Sequence, residues 1–332
     1  MKSKMLYSYY AYLFHQFLVM YNITYTTPSM FMERFDVFTT NMQYVDQFNA
    51  KPTSLTLGMG PFADQTLEEF ARSRLGLLTG RRLFSGTAVA CTAIRQDDND
   101  KNNESLPLSF DWRDRGVLTP IKNQGSCGSC WAFASIEVAE SVARLGGFFE
   151  NAPLFSPKQL VDCCDSSFGC SGGYIDATFQ YMVSRGVVNE SSYPYNPHQD
   201  TCSRNDSRIA EFTPRGCFHI GANIARTHLS HFLMEKGPLV IGVAARSSVF
   251  QLYTGGVIRN WDCGTEVDHA VQLVGFGQDE DGLKYWVVRN SWGEKWGENG
   301  FFRLERVDGN WDIVEKSGTC GMMVSGAWGL HV

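Results

Sequence analysis

Ten cysteines, nine of them packed between Cys127 and Cys320, constrain this 332-residue chain more than any other feature. Cys91 alone lies upstream. Such density reads either as a disulfide framework made in an oxidising compartment or as metal ligation. Four glycosylation acceptors, Asn22, Asn103, Asn189 and Asn205, favour the framework and the secretory route. Lys2 and Lys4 precede a ten-residue stretch, residues 5–14, that is rich in tyrosine and lacks a small-x-small cleavage site. It reads as the first turns of a helix rather than as a signal peptide. No run approaches the roughly 18 apolar residues of a membrane span, and none is expected. A net charge of −6 argues against nucleic acid, whose phosphates need clustered Lys and Arg.

Three zones follow one another. Residues 1–78 are helical and aromatic. Thr27-Pro28 is a cap-and-proline helix start, and Phe31, Phe35, Phe38, Met42, Val45 and Phe48 recur at spacings of three and four. That apolar face needs a partner surface. Residues 79–105, from Thr79-Gly80-Arg81-Arg82 to the Asp- and Asn-rich 97–104, lack periodicity and read as a flexible, cleavable linker. Asp98-x-Asp100-x-Asn102 begins like a calcium loop, but Asn103 stands where the turn needs glycine and no glutamate closes it. Residues 106–332 change character midway. A helix is expected over 129–145, stopped by Gly146-Gly147, and short apolar runs at 239–243, 270–276, 285–289 and 301–307 read as strands. The expectation is an α+β fold whose helical and sheet-rich halves meet at a cleft.

Gln124-Gly-Ser-Cys127-Gly-Ser-Cys130-Trp131-Ala-Phe133 is the densest segment. Cys127-x-x-Cys130 at a helix start fits a redox pair, half of a zinc site, or a nucleophile beside a structural half-cystine. Pro120-Ile-Lys-Asn is a poor strand for a redox βαβ unit, and adjacent Cys163-Cys164 with Cys170 six on is not the usual zinc-ligand spacing. The nucleophile is preferred, and it needs a base and an orienter. His269 opens the run Asp268-His-Ala-Val, at a turn-to-strand junction, whereas His15, His198, His219, His228, His231 and His331 sit in polar or irregular surroundings. Asn290 ends the strand run before Ser-Trp292-Gly and can hold the imidazole through its second nitrogen.

Cys-Gly-Ser-Cys-Trp with His269 139 residues and Asn290 160 residues beyond Cys130 resembles the papain and cathepsin L family of cysteine proteases. Leu106-Pro-Leu-Ser-Phe-Asp111-Trp112, Gly169-Cys170-Ser-Gly172-Gly173, Tyr193-Pro194-Tyr195, Gly255-Gly256-Val257 and Asn290-Ser-Trp292-Gly-x-x-Trp296-Gly297 are similar landmarks in the family's order. The resemblance implies a papain-like two-domain fold: a helical left domain over about 106–217, an antiparallel β-barrel-like right domain over 218–332, and a cleft between them. An inhibitory, mainly helical propeptide would cover 1–78, its apolar helix face against the enzyme domain and the extended segment after it in the cleft, and 79–105 would hold the activating cut. Arg34, Phe38, Asn41, Val45 and Asn49 resemble the propeptide helix signature, with Met30 where glutamate is expected. Gly58-x-Gly60-x-Phe62-x-Asp64 resembles its second motif, with Gly60 in place of asparagine.

By the same resemblance, Cys130 and His269 form a thiolate–imidazolium pair, which positive charge at the helix start favours. Asn290 orients His269 under the shield of Trp292. Gln124 and the Cys130 N–H form the oxyanion hole. Gly172 and Gly173 bind substrate main chain, and Tyr174, Ile175, Gly242, Val267, Asp268, Ala270 and Ser325 surround the specificity pocket. Its wall residues Tyr174, Ile175, Gly242, Val267, Ala270 and Ser325 are uncharged, so apolar or aromatic side chains two residues before the cut are expected. No long insertion separates Gly173 from Tyr193, which implies an open cleft and an endopeptidase. The family's bridges would be Cys127–Cys170, Cys163–Cys202 and Cys263–Cys320. Cys164 and Cys217 are left to form a fourth bridge, unless Cys164 replaces Cys163 opposite Cys202. No cofactor and no metal is implied. A monomer is expected, with protein and peptide substrates, its own propeptide and cystatin-like inhibitors as partners. Its destination would be a lysosome- or vacuole-like compartment or the exterior. A non-catalytic binding member of the fold would lack the nucleophile; this chain keeps Cys130, His269, Asn290 and Gln124.

Overall fold

Thr27 caps the helix that starts at Pro28 as its sequence suggests, its hydroxyl accepting from the Met30 N–H in a computed structural model. The structure describes residues 2–80, 91–94, 106–203, 210–307 and 317–331. The glycosylation candidates Asn103 and Asn205 and the calcium-like 98–103 lie outside these residues. Of the other two candidates, Asn22 is exposed, and the side-chain oxygen of half-buried Asn189 accepts from the Ser191 N–H and hydroxyl.

Helix α1 (Lys2–Tyr21) takes up the N-terminal stretch, and α2 (Pro28–Asn49) buries Phe35, Phe38, Met42 and Val45. Their partner is α1 in the first instance, not the large unit beyond residue 106: the Phe14 and Phe17 rings lie 5.1 and 5.2 Å from Phe38. Phe31, counted in the apolar face, remains 41% exposed at its edge. Strand β1 (Thr56–Leu57) and helix α3 (Leu67–Arg74) follow. Thr66 and Glu69 close a capping box on α3, and Glu69 also takes Arg34 of α2 in a two-pronged ion pair.

The larger unit holds β2 (Thr92–Ala93), β3 (Phe110–Asp111), α4 (Cys130–Leu145), α5 (Pro157–Cys163), α6 (Ile175–Arg185), β4 (Gly216–Ile220), α7 (Ala222–Lys236) and β5 (Leu239–Val243). It continues through α8 (Ser248–Leu252), β6 (Tyr253–Gly255), β7 (Val257–Ile258), β8 (His269–Gln278), β9 (Lys284–Arg289), β10 (Phe301–Glu305) and β11 (Ala327–His331). The main sheet runs β2-β4-β11-β5-β8-β9-β10-β7, with β3 also on β8. Its middle is antiparallel, while β2·β4 and β10·β7 at the two ends are parallel. Helix α4 is buried over almost its whole length, packed between the other helices and β8. It carries two ion pairs: Glu140 meets Lys122 at 2.9 Å within the helical half, and Glu137 faces Arg289 of β9 at 3.4 Å, which ties the two halves together.

Four disulfides join Cys127 to Cys170, Cys163 to Cys202, Cys263 to Cys320 and Cys91 to Cys217. The last corrects the expected use of Cys217. Cys164 bridges neither Cys217 nor Cys202; it is a buried thiol beside the Ser167 hydroxyl and the Ala177 carbonyl. Within the stretch read as a linker, residues 91–94 are fixed to the sheet; two paired residues are too few to leave a period-two pattern in sequence, so the reading gave no sign of them.

Candidate active site

Cys130 is the first residue of α4, fully buried, where unpaired backbone N–H groups give a helix its positive end. His269 opens β8 and Asn290 follows β9; β8 and β9 pair, so both side chains reach the same end of the sheet. His269 Nε2 lies 2.8 Å from Asn290 Oδ1. That oxygen also accepts from the Ser291 N–H at 2.8 Å, so the Asn290 side chain is the acceptor and His269 Nε2 carries the proton. Nδ1 is left with a lone pair and no hydrogen bond. Trp292 stacks on the imidazole at 4.6 Å and is itself 2% exposed. Gln124 is held by the Ser291 hydroxyl, which donates to its Oε1 at 2.8 Å.

The segment after α3 runs through this site. Arg74 O accepts from Gln124 Nε2 at 2.9 Å, whose other proton goes to Cys127 O at 2.7 Å. The Gly76 and Leu77 N–H groups donate to Asp268 O, Leu78 N–H donates to Gly173 O, and Gly173 N–H donates to Gly76 O. Gly76 fits only as glycine, because a Cβ there would come within 1.9 Å of Gly128 O. A Cβ on Gly172 would meet Gly76 O at 2.8 Å. Leu77 is buried with Cys130, Ile175 and Ala270, and partly buried Tyr174 and Val267 pack on the same cluster. A Cβ on Gly242 would touch both Val267 and Leu77. Ser325 shares with Tyr174, Ile175 and Leu77 the lining of a cavity of about 810 Å³.

An extended segment in the cleft is what the resemblance implies, but the sequence does not single out Arg74, Gly76 and Leu77 as the residues that cover the site. Eight-residue α3 and the extended stretch after it leave no long periodic signal; Gly76 is the single punctuation mark. Phe62 and Phe70 press their ring edges on Trp292 at 5.8 and 5.1 Å, and β1 pairs antiparallel with β6. Gln251 of α8 donates to Phe62 O and Gln65 O. A Cβ on buried Gly60 would make only an ordinary contact, with Gln251 O at 3.8 Å, and Met30 is 42% exposed, so neither departure from the family motifs sits at a tight point of the interface.

Covering changes the electrostatics. Burial pushes the Cys130 thiol up to about 12, against hydrogen bonds from the backbone of Ala270, Gly76 and Trp131. Burial pulls His269 down to about 4, against its bond to Asn290. In the covered chain both groups are therefore neutral. Burial also raises the Asp268 carboxyl to about 6, whereas the Arg34 side chain holds Glu69 down at about 2.

These shifts predict how acid uncovers the site. His269, depressed from 6.5, favours the covered state above that value and withdraws this support as pH falls toward 4. Asp268, raised from 3.8, works oppositely: the covered state takes up its proton first, gaining support as pH falls through about 6. The two offset one another until Glu69, whose ion pair is lost from 4.5 downward, adds to the opening. Uncovering should therefore become steep only below about pH 4.5. Asp268→Asn should steepen it between about 6 and 4.5 by removing the opposing proton uptake. Tryptophan fluorescence of the uncut chain against pH checks this; an unchanged slope in the variant would exclude it.

Comparison with known proteins matches residues 106–325 to the model of the papain family cysteine protease and residues 14–70 to the cathepsin propeptide inhibitor domain (I29). Chymopapain of Carica papaya is 36% identical over 319 residues, covering 94% of this chain and 84% of that protein. Fruit bromelain of Ananas comosus is 33% identical, covering 94% and 84%. Among solved structures, a recombinant stem bromelain precursor superposes with a TM-score of 0.83 at 31% identity, covering 97% and 99% of the two chains. A digestive procathepsin L2 proteinase from Tenebrio molitor larval midgut gives 0.84 at 31% identity, covering 97% and 100%.

Proposed function

The chain belongs to the papain family of cysteine proteases and carries that family's propeptide inhibitor domain, and from this premise we propose that it is a latent endopeptidase acting through Cys130 and His269. The propeptide unit is assigned to residues 1–78, the linker to 79–105 and the peptidase to 106–332. The observation that supports the reading most is the course of residues 74–78. They lie in the cleft as a peptide would, with a carbonyl on Gln124, main-chain bonds to Gly173 and Asp268, and Leu77 in an apolar pocket.

Uncovering returns water to Cys130 and His269 and lets the proton pass from Sγ to His269 Nδ1, the nitrogen that Asn290 leaves free. The α4 N-terminus and the imidazolium then stabilise the thiolate. Sγ attacks the scissile carbonyl, and its oxygen takes up negative charge facing Gln124 Nε2–H and the Cys130 N–H. The tetrahedral species collapses as His269 gives its proton to the leaving amine, and the acyl group stays on Sγ. Water gives a proton to His269 as it attacks the acyl carbon, and the C–S bond breaks to release the acid and restore the thiolate–imidazolium pair. Asn290 holds the ring in register, and Trp292 keeps water from their bond.

The pocket of Tyr174, Ile175, Gly242, Val267, Ala270 and Ser325 suits apolar or aromatic side chains two residues before the cut, as Leu77 illustrates. Between Gly173 and Tyr193 the chain is taken up by α6 and short turns, consistent with a cleft open at that end. No helix among the described residues is long and apolar enough to cross a membrane. We assign the protein to the secretory pathway, ending in a lysosome- or vacuole-like compartment or outside the cell. It would work as a monomer open to cystatin-like inhibitors.

Acid activation followed by a peptide-substrate assay tests the reading; a folded, processed chain that stays inert would sink it. Gln124→Ala should lower kcat by ~10²–10³ with a smaller change in KM, because the donor it removes matters most once charge develops on the oxygen. Steady-state kinetics of the processed variant measure that split.

A further inference from the structure

Cys91 stands in the stretch that any activating cut must sever, yet it is bonded to Cys217 in β4 of the peptidase. The bond is not an isolated clip. β2 lies parallel to β4, with Thr92 opposite Phe218 and Ala93 opposite His219, and the Ile94 N–H donates to His219 O at 2.9 Å. Residues 91–94 are thus an edge strand of the catalytic sheet.

The strand also lines a cavity shared with Leu77 and with three of the six residues assigned to the specificity pocket. Cys91 lines the 810 Å³ cavity together with Tyr174, Ile175 and Ser325. His219, braced by Ile94, holds the Ser325 carbonyl through its Nε2 at 2.8 Å and lies tilted against Trp328, another lining residue, at 4.6 Å. The linker therefore reaches the pocket twice: directly through Cys91, and through His219 onto Ser325.

Covalent connectivity then limits what activation can do. A cut after Ile94 alone would free no inhibitor, because residues 1–78 would remain attached through Cys91 at the high effective concentration of a tether. Only a cut ahead of Cys91 lets residues 1–78 leave, and after it the strand is still held by Cys217. We propose that residues 91–94 stay on the active enzyme through the Cys91–Cys217 disulfide and form a fixed wall of its specificity pocket. The retention follows from the bridge; the specificity role rests on the protease reading above.

Two measurements separate these parts. In Cys130→Ala, which cannot cut itself, limited trypsin has sites at Arg81, Arg82, Arg95 and Lys101 on both sides of Cys91. Intact mass without reductant should show a body beginning at residue 96 or 102 and still carrying a Cys91 peptide, and reduction should release it. A body lacking that peptide before reduction overturns the proposal, whatever the activity of the native chain. In the processed wild type, Cys91→Ser and Cys217→Ser should each shift the kcat/KM ratio between substrates bearing Phe and Val two residues before the cut, on the order of tenfold. An unchanged ratio in both variants overturns the wall. An inert wild type that retains the peptide counts against the protease reading and leaves the tether standing.

Discussion

Replacing Cys130 by alanine is expected to leave a folded, latent chain that never hydrolyses a peptide, a loss on the order of 10⁶-fold in kcat, the scale seen when a protease loses its nucleophile. The fold should tolerate the change. Only Sγ is removed, alanine is the better helix former at the start of α4, and the thiol there is neutral and buried in the covered chain, so no ion pair is broken. The bonds of residues 74–78 to Gln124, Asp268 and Gly173 involve no Cys130 side chain and should persist. Thermal unfolding should therefore resemble wild type while activity vanishes. His269→Ala should also abolish turnover, yet it removes the ring on which Trp292 stacks and should lower stability as well. Residual cleavage by Cys130→Ala above a hundredth of wild type would remove Cys130 from the nucleophile's role. Peptide assays of purified, externally processed protein read this.

How legible this was from sequence differs by element, for physical reasons. Cys130, His269 and Asn290 could be picked out because each sits at the end of an element with a strong local signal, an apolar helix or an apolar strand run, whereas Gln124 ends no such element and came from the family resemblance alone. The α2 stripe was readable for the same reason, but its partner was not. A stripe announces that it must be covered and says nothing about what covers it, so the peptidase was expected where α1 stands. Strands β4 and β11 escaped because their patterns are broken, in β4 by half-buried His219 and in β11 by half-buried Trp328. The Cys91–Cys217 pairing escaped altogether, since a disulfide depends on where two chains of low sequence periodicity come together. The docking of residues 74–78 is carried by backbone bonds, and these leave almost no mark on side-chain choice beyond Gly76.

That backbone dependence locates the energetic anchor of latency in the single large side chain the segment does bury. Leu77 is 7% exposed, wedged against Gly242 and Val267. Leu77→Ala should cost the closed state about 2–5 kcal/mol, the range for a buried leucine cut to alanine, and so favour the uncovered site by roughly 30- to 5,000-fold. Leu77→Asp should go further. Its carboxylate would enter an apolar pocket beside the Asp268 carboxyl, while nearby Arg246 is already paired with Glu68, and would be driven out or protonated. Both variants should cleave substrate before processing and shed residues 1–78 at higher pH than wild type. Exposed Thr79→Ala should do neither. The same physics makes a second, linked statement: a pocket that expels Asp at position 77 should reject a substrate with Asp two residues before the cut. Pre-processing activity and a substrate series varied at that position therefore have to change together. If Leu77→Asp remains as latent as wild type while Asp-bearing substrates are refused, Leu77 does not occupy the specificity pocket, and the course assigned to residues 74–78 is wrong.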